Sequence, residues 1–158
     1  MQIKSKREKG FSLIELLIVV AIILIIAAIA IPNLLRSRMA ANEASAVGSL
    51  RTINTACVTY SVTYGVGFPA NLINLSGPLN GSTSADLIDS VLANGTKSGY
   101  NFVYSAASAV GNVVPTYVIN ANPVTQGQTG NRYFFTDQSG VIRFNLTAAA
   151  SSSDSPLQ

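Results

Sequence analysis

The sequence predicts an α+β fold, in which a long N-terminal α-helix has a four-stranded antiparallel sheet packed on its C-terminal half. Two observations lead to this prediction. An apolar run extends from Phe11 to Pro32, and apolar residues at helical spacing continue to Tyr64. Alternating strand patterns separated by turn residues occur only later, over residues 99–147. Segregation of helix and strands along the chain is typical of α+β domains.

The first predicted element is one helix over residues 11–64. Residues 11–32 are apolar and long enough to cross a membrane. Beyond them the helix becomes amphipathic, with an apolar stripe at spacings of three or four: Leu50, Ile53, Cys57, Tyr60 and Tyr64. Pro32 removes one helical hydrogen bond and crowds the preceding turn, so we expect a kink near it.

The remaining elements follow from turn and strand signals. Residues 65–98 are rich in Gly, Pro, Asn and Ser and predict a connecting loop with one short helix between Ser84 and Gly95. Strand patterns over 100–105, 113–120, 132–136 and 141–146 predict a sheet head over 99–147, and the DQSG sequence at 137–140 predicts the last hairpin turn. Residues 148–158 are small and polar and predict a flexible tail.

The net charge of +3 belongs to the first ten residues, since basic and acidic residues are equal in number beyond Gly10. Such a basic segment before an apolar run is a membrane-orientation signal. Nucleic-acid binding is not expected, because the basic residues beyond Arg51 are only Lys97, Arg132 and Arg143.

The residue types in the chain also exclude several kinds of functional site. The chain has no histidine and one cysteine, Cys57, which excludes an intramolecular disulfide, a Ser-His-Asp triad and a metal site built on His or Cys clusters. We therefore expect a protein that is not an enzyme and has no cofactor and no metal site. Cys57 lies in the apolar stripe and is interpreted as a small buried hydrophobe.

Glu15 is the one charge in the apolar run. A carboxylate at the centre of a membrane helix costs about 2.5–3.5 kcal/mol or more, so a partner for it is expected. A secretory signal peptide, which has a cleavage site behind its apolar region, is disfavoured because that region is shorter than the one here. A plain membrane anchor leaves Glu15 unexplained. A leader that is cut before the run, between Gly10 and Phe11, is the third interpretation.

The residues around this junction resemble the N-terminus of type IV pilins and pseudopilins. That pattern has a short basic leader ending in Gly, then Phe, a small residue, two aliphatic residues, Glu, an apolar stretch and Pro; the matching positions are Gly10, Phe11, Ser12, Leu13, Ile14, Glu15 and Pro32. Many members also have a Gly about nine residues after the Glu. This chain has Leu24 there, so we expect melting of the helix before Pro32 to be smaller or to depend on Pro32 alone.

The resemblance implies a role for each of these residues. Residues 1–10 would be a leader, and a prepilin peptidase would cut between Gly10 and Phe11 and methylate the new Phe11 amine. Glu15 would pair with the Phe11 ammonium of a neighbouring subunit. The resemblance assigns no role to Arg36 and Arg38, just past Pro32. They could form a solvated face, or contact lipid phosphates in the precursor or Glu43 of a neighbour in the filament.

The resemblance also implies a function. We expect a structural subunit that polymerises into a type IV pilus of the adhesion or twitching-motility class. It would begin as a single-pass protein of the bacterial inner membrane with a cytoplasmic N-terminus, and would end in an extracellular filament. Its partners would be other copies of itself in a helical homopolymer, the prepilin peptidase and the pilus assembly machinery.

Two alternatives stay open at this point. One is a pseudopilin of a type II secretion system. In the major pseudopilin a late loop with several carboxylates holds calcium, and the acidic residues after position 100 are only Asp137 and Asp154, which disfavours that type. The other alternative is a minor pilin with a role in DNA uptake or adhesion.

Overall fold

The structure is a computed structural model that describes residues 10–157. The chain divides into two compact units, Met1–Arg36 and Ser37–Gln158. Helix α1, Leu13–Tyr64, begins in the first unit and ends in the second. The predicted long N-terminal helix is therefore confirmed. Pro32 lies inside this helix, and the kink predicted near it stays a prediction.

In the first unit the apolar side chains of α1 are exposed. From Leu13 to Leu34, large hydrophobic side chains expose 45–75% of their surface. By length and composition, α1 is the one described helix that could cross a membrane, and its most apolar stretch has no buried residue. The described residues of this unit therefore form no core that covers the apolar run.

The second unit has a compact core between α1 and a sheet. Four of the five residues of the predicted apolar stripe are buried there, with Leu50, Ile53 and Cys57 fully inaccessible and Tyr60 4% exposed, whereas Tyr64 is partly buried against the core. These side chains form one cluster with the buried residues of the sheet: Tyr100, Phe102, Tyr117, Ile119, Ala121 and Phe134. We call this second unit the head. The long helix contributes one wall of it, as the spacing of its apolar residues predicts.

The connecting segment contains a 3₁₀ helix, Leu72–Leu75, and a short helix α2, Ser90–Ala93. Helix α2 is shorter than the predicted one and begins later. Its cap is Asp89, whose side chain accepts a hydrogen bond from the Leu92 amide at 2.9 Å. Ser84 does not cap a helix, because its hydroxyl donates to the Ser76 carbonyl at 2.7 Å.

The sheet is an antiparallel meander of six strands rather than the predicted four. Its strands are β1 (Thr96–Lys97), β2 (Tyr100–Ala106), β3 (Tyr117–Pro123), β4 (Tyr133–Asp137), β5 (Arg143–Asn145) and β6 (Ser155–Pro156), paired in that order. The two additional strands are two-residue edge strands, too short to produce an alternating pattern. Strand β3 also starts later than predicted, since Val110 and Val113 pair with each other in a tight turn around Gly111. The turn over 137–140 forms, with the Gly140 amide donating to the Asp137 carbonyl at 2.9 Å.

The predicted flexible tail over 148–158 includes β6, and the described part of it folds against the sheet. Asp154 accepts hydrogen bonds from the Ser151 amide at 2.7 Å and from the Asn145 side chain at 2.8 Å. The guanidinium of Arg143 donates to the Asp154 carbonyl at 2.8 Å, and the Leu157 amide donates to the Ile142 carbonyl at 2.7 Å. The small polar residues thus build a turn, which composition alone does not reveal.

Candidate functional site

The candidate site is the start of the apolar segment, where the chain enters α1. Gly10 and Phe11 precede the helix, and Phe11 is 89% exposed. A Cβ added to Gly10 would meet no atom within 4 Å. Among the described residues, nothing therefore crowds the backbone at the junction between Gly10 and Phe11.

Glu15 has a local role that the sequence interpretation missed. Ser12 lies directly before the helix, and its backbone amide donates to Oε2 of Glu15 at 2.8 Å. This bond is one half of a capping box, in which the third helical residue satisfies an amide at the helix start. The Ser-x-x-Glu spacing at residues 12–15 is the sequence signal that could have revealed it.

The cap alone does not account for a glutamate. Glutamine serves at this position of a capping box as well, so the bond to Ser12 does not require a charge. A helix cap contributes about 1 kcal/mol. Within residues 10–157, neither of the two ion pairs involves Glu15, so the partner expected for its charge is not supplied by the described part of the same chain.

A second polar centre, which we call the Glu43 clamp, lies in the head and consists of Glu43, Asn131 and Arg132. The Glu43 side chain is buried and accepts bonds from the backbone amides of Asn131 at 2.8 Å and Arg132 at 3.2 Å. Its other oxygen accepts from Nε of Arg132 at 2.7 Å. The Arg132 guanidinium also lies 5.5 Å from the ring centre of Phe134. Glu43 is thus already engaged within its own chain, contrary to the expectation that it could bind Arg36 or Arg38 of a neighbour.

Cys57 is fully buried, which confirms its interpretation as a small hydrophobe. Burial raises the pKa of its thiol to about 12, and hydrogen bonding with Tyr104 and Tyr117 only partly offsets that rise. At neutral pH the thiol is protonated and unreactive, because the thiolate is the nucleophile. Cys57 is a core residue and not a site.

Comparison with known proteins places this site in a family. The family model for the prokaryotic N-terminal methylation motif matches residues 5–31. The type IV major fimbrial protein FimA of Dichelobacter nodosus is 36% identical over 134 residues, which cover 77% of this chain and 79% of that protein. The chain belongs to the type IV pilins. The match to FimA is too long to be confined to the apolar segment, so the likeness includes the head.

Two other pilins match over shorter stretches. The type IV wide pilus major component PilA4 of Thermus thermophilus is 63% identical over 38 residues, which are 24% of this pilin and 29% of that protein. The type IV major pilin protein PilA of Myxococcus xanthus is 50% identical over 52 residues, which are 33% of this pilin and 24% of that protein. No solved structure matches this pilin.

Proposed function

We propose that this pilin is the major subunit of a type IV pilus, assembled from the bacterial inner membrane as a helical homopolymer. The observation that carries the proposal is the exposed apolar face of α1 between Leu13 and Leu34. Covering a large aliphatic side chain is worth about 1.5–3 kcal/mol, so this stretch is stable only in lipid or against other apolar helices. A bilayer before assembly and neighbouring copies afterwards would each cover it. The relatives named above are major components of type IV pili or fimbriae.

Processing would convert the chain that is anchored in the bilayer into a subunit that can join the filament. The methylation motif at residues 5–31 and the open backbone at Gly10 support cleavage between Gly10 and Phe11 by a prepilin peptidase, followed by methylation of the Phe11 amine. The basic residues of the leader favour a cytoplasmic N-terminus and a single membrane crossing. Cleavage removes this charge at the step that prepares the chain for extraction by the assembly machinery.

Cleavage also creates the partner that Glu15 needs. The new Phe11 amine is positively charged, and Glu15 lies four residues further on, at the first turn of α1. In the low-dielectric core of a filament an unpaired carboxylate is strongly unfavourable, so each Glu15 would bind the ammonium of a neighbouring copy. The pair would fix the axial register between subunits.

The direct test is to express the full chain in a bacterium that has a type IV pilus assembly system but lacks its own major pilin. Sheared surface material is then examined by electron microscopy and mass spectrometry. We expect filaments whose predominant protein begins with methylated Phe11. A trace component in filaments of another protein would indicate a minor pilin, and periplasmic retention without surface filaments would indicate a pseudopilin; both would overturn the major-subunit proposal. Roles in adhesion and twitching motility stay predictions.

Two substitutions at one position separate the cap from the charge pair. Glu15→Gln keeps the capping box and removes the charge, whereas Glu15→Val removes both. If pairing with a neighbour is what matters, both variants enter the membrane and are processed, yet both fail to form filaments as the sole subunit. Normal filaments from Glu15→Gln would show that the cap is sufficient and would end the pairing argument. Gly10→Ile is the processing control, and it should leave the precursor uncut.

A further inference from the structure

Two Asn-Gly pairs with almost the same sequence lie in the segment that connects α1 to the sheet. One is Asn80-Gly81, which is followed by a serine, and the other is Asn94-Gly95, which is followed by a threonine. Both asparagines are exposed, and both glycines have a positive φ, of 64° and 81°. Because the pairs match in sequence and in exposure of the asparagine, a difference in their chemistry must come from the hydrogen bonds of the fold.

Asparagine is a thermolabile residue, and a following glycine exposes it to attack by the backbone. The glycine nitrogen loses its proton to a base, forms a bond to the side-chain carbonyl carbon of the asparagine, and displaces ammonia. Water then opens the cyclic imide at either carbonyl and leaves an aspartate or an isoaspartate. The net reaction is hydrolysis of the side-chain amide by water. It requires a glycine nitrogen that is not held in a hydrogen bond and a side chain that can turn towards it.

The Asn94 pair is fixed by the fold. The Gly95 amide donates to the Leu92 carbonyl at 2.9 Å, and the Gly95 carbonyl accepts from the Phe102 amide at 2.7 Å. Asn94 is the C-cap of α2, with a backbone amide that also bonds to this short helix. An attack on Asn94 must first break the bond to Leu92, and a hydrogen bond of this kind lowers the reactive population by about tenfold.

The Asn80 pair is held differently. The Asn80 amide donates to the Ser84 carbonyl at 2.7 Å, and the Asn80 carbonyl accepts from the Thr83 hydroxyl at 2.8 Å. Among the hydrogen bonds of residues 10–157, none involves the Gly81 amide or the Asn80 side chain. A Cβ added to Gly81 would meet no atom within 4 Å, so the space beside the reacting nitrogen is open.

We propose that Asn80 is a site of spontaneous deamidation in the folded pilin, whereas Asn94 is protected by its place at the end of α2. Basic and acidic residues are equal in number beyond Gly10, so the new carboxylate gives that part of the chain a net negative charge at neutral pH. In the isoaspartate product the Asn80 backbone carbonyl oxygen becomes part of this carboxylate. The Thr83 hydroxyl that donates to it then has a charged acceptor, which strengthens the bond.

Peptide mapping by mass spectrometry tests this assignment on the full chain in detergent, incubated at mildly alkaline pH. Deamidation raises the mass of a peptide by about 1 Da and adds a charge that isoelectric focusing detects. In the folded protein we expect Asn80 to react about tenfold faster than Asn94, or more, because the bond from Gly95 to Leu92 must break first. In guanidinium, where the hydrogen bonds of the fold are lost, the two matched sequences should react at similar rates.

Two variants make the outcome decisive. Asn80→Gln moves the side-chain amide one methylene further from the Gly81 nitrogen, and it should abolish the acidic shift of the folded protein. Asp89→Ala removes the side-chain cap of α2, so the reaction at Asn94 should become about fivefold faster while that at Asn80 is unchanged.

Three results would overturn the proposal: equal rates at the two asparagines in the folded protein, an Asn80 that reacts only in guanidinium, or no acceleration at Asn94 in Asp89→Ala. The assay involves no filaments, so its result does not depend on the proposed function.

Discussion

The Glu43 clamp provides the sharpest quantitative prediction for the head. Glu43→Gln keeps the volume of the side chain and its acceptor for the two backbone amides, but it removes the charge that faces Arg132. Hydrogen bonds to charged groups contribute about 1.5–3 kcal/mol, and the loss is largest where the charge is buried. The Glu43 side chain is 10% exposed and that of Arg132 is 34% exposed, so water recovers part of the loss. We therefore expect a destabilisation of about 2 kcal/mol, at the low end of that range.

The chain offers a matched control for this change. Lys97 and Asp89 form the other ion pair, at 2.9 Å, with side chains that are 35% and 49% exposed. The two cations are equally exposed, so the pairs differ mainly in the burial of the carboxylate. Lys97→Met should cost less than about 1 kcal/mol, because exposed pairs contribute little.

The assay is thermal unfolding of the full chain in detergent, which is monitored through the near-ultraviolet circular dichroism of the tyrosines. For a head of this size, about 2 kcal/mol corresponds to a fall in Tm of roughly 8 °C for Glu43→Gln, and the control should fall by no more than about 4 °C. Equal shifts for the two variants would refute the argument that burial of Glu43 is what makes the clamp strong.

Three further predictions concern the head. Asn54 donates to the Thr136 hydroxyl at 2.9 Å and accepts from the Tyr117 hydroxyl at 3.0 Å; Asn54→Ala, which leaves both buried groups unpaired, should cost about 2–3 kcal/mol in denaturant unfolding. Cys57, whose pKa is raised to about 12, should resist iodoacetamide at pH 8 in the folded protein and react at once in guanidinium, and rapid labelling without denaturant would contradict its burial. Hydrogen bonds from Ser151 and Asn145 lower the pKa of Asp154. The ionised Asp154 should therefore hold the tail fully in place above the unfolded pKa near 4, and the tail should be released as the pH falls below that value. Asp154→Asn should abolish this acid-dependent release, which is measured as proteolysis after residue 147.

The long helix and the position of its buried stripe could be predicted because they depend on local periodicity. Leu50, Ile53, Cys57 and Tyr60 recur at helical spacing whatever they pack against, and all four are buried. Strand β2 could be predicted for the same reason, since Tyr100, Phe102 and Tyr104 alternate with more exposed neighbours within that segment. Strands β1 and β6 could not, because a two-residue strand is defined by its partner rather than by its own sequence.

The polar interactions of the head were beyond prediction for a related reason. Glu43 and Arg132 are 89 residues apart, and only the fold brings them together. Nothing in the sequence distinguishes Glu43, which is in an ion pair within its chain, from Asp86, which is in none of the ion pairs among residues 10–157. By contrast, the Ser-x-x-Glu cap at the start of α1 depends on local spacing alone, so the sequence is sufficient to predict it.

The cap of Glu15 has a consequence for the step between membrane and filament. The carboxylate is held at the Ser12 amide, which is one residue from the amine that cleavage would create at Phe11. Once the leader is removed, we expect the ammonium of the same chain to neutralise Glu15 in the bilayer and so lower the cost of an isolated charge there. Assembly would then exchange this partner for the ammonium of a neighbour, with the same number of charges paired before and after. A chain that keeps its leader has no such ammonium, and the bond that its Glu15 accepts among residues 10–157 comes from the neutral amide of Ser12. Processing would therefore act on the energetics of Glu15 as well as on the removal of the leader, which is why the uncut Gly10 variant and the charge-free Glu15→Gln variant should share one defect in assembly.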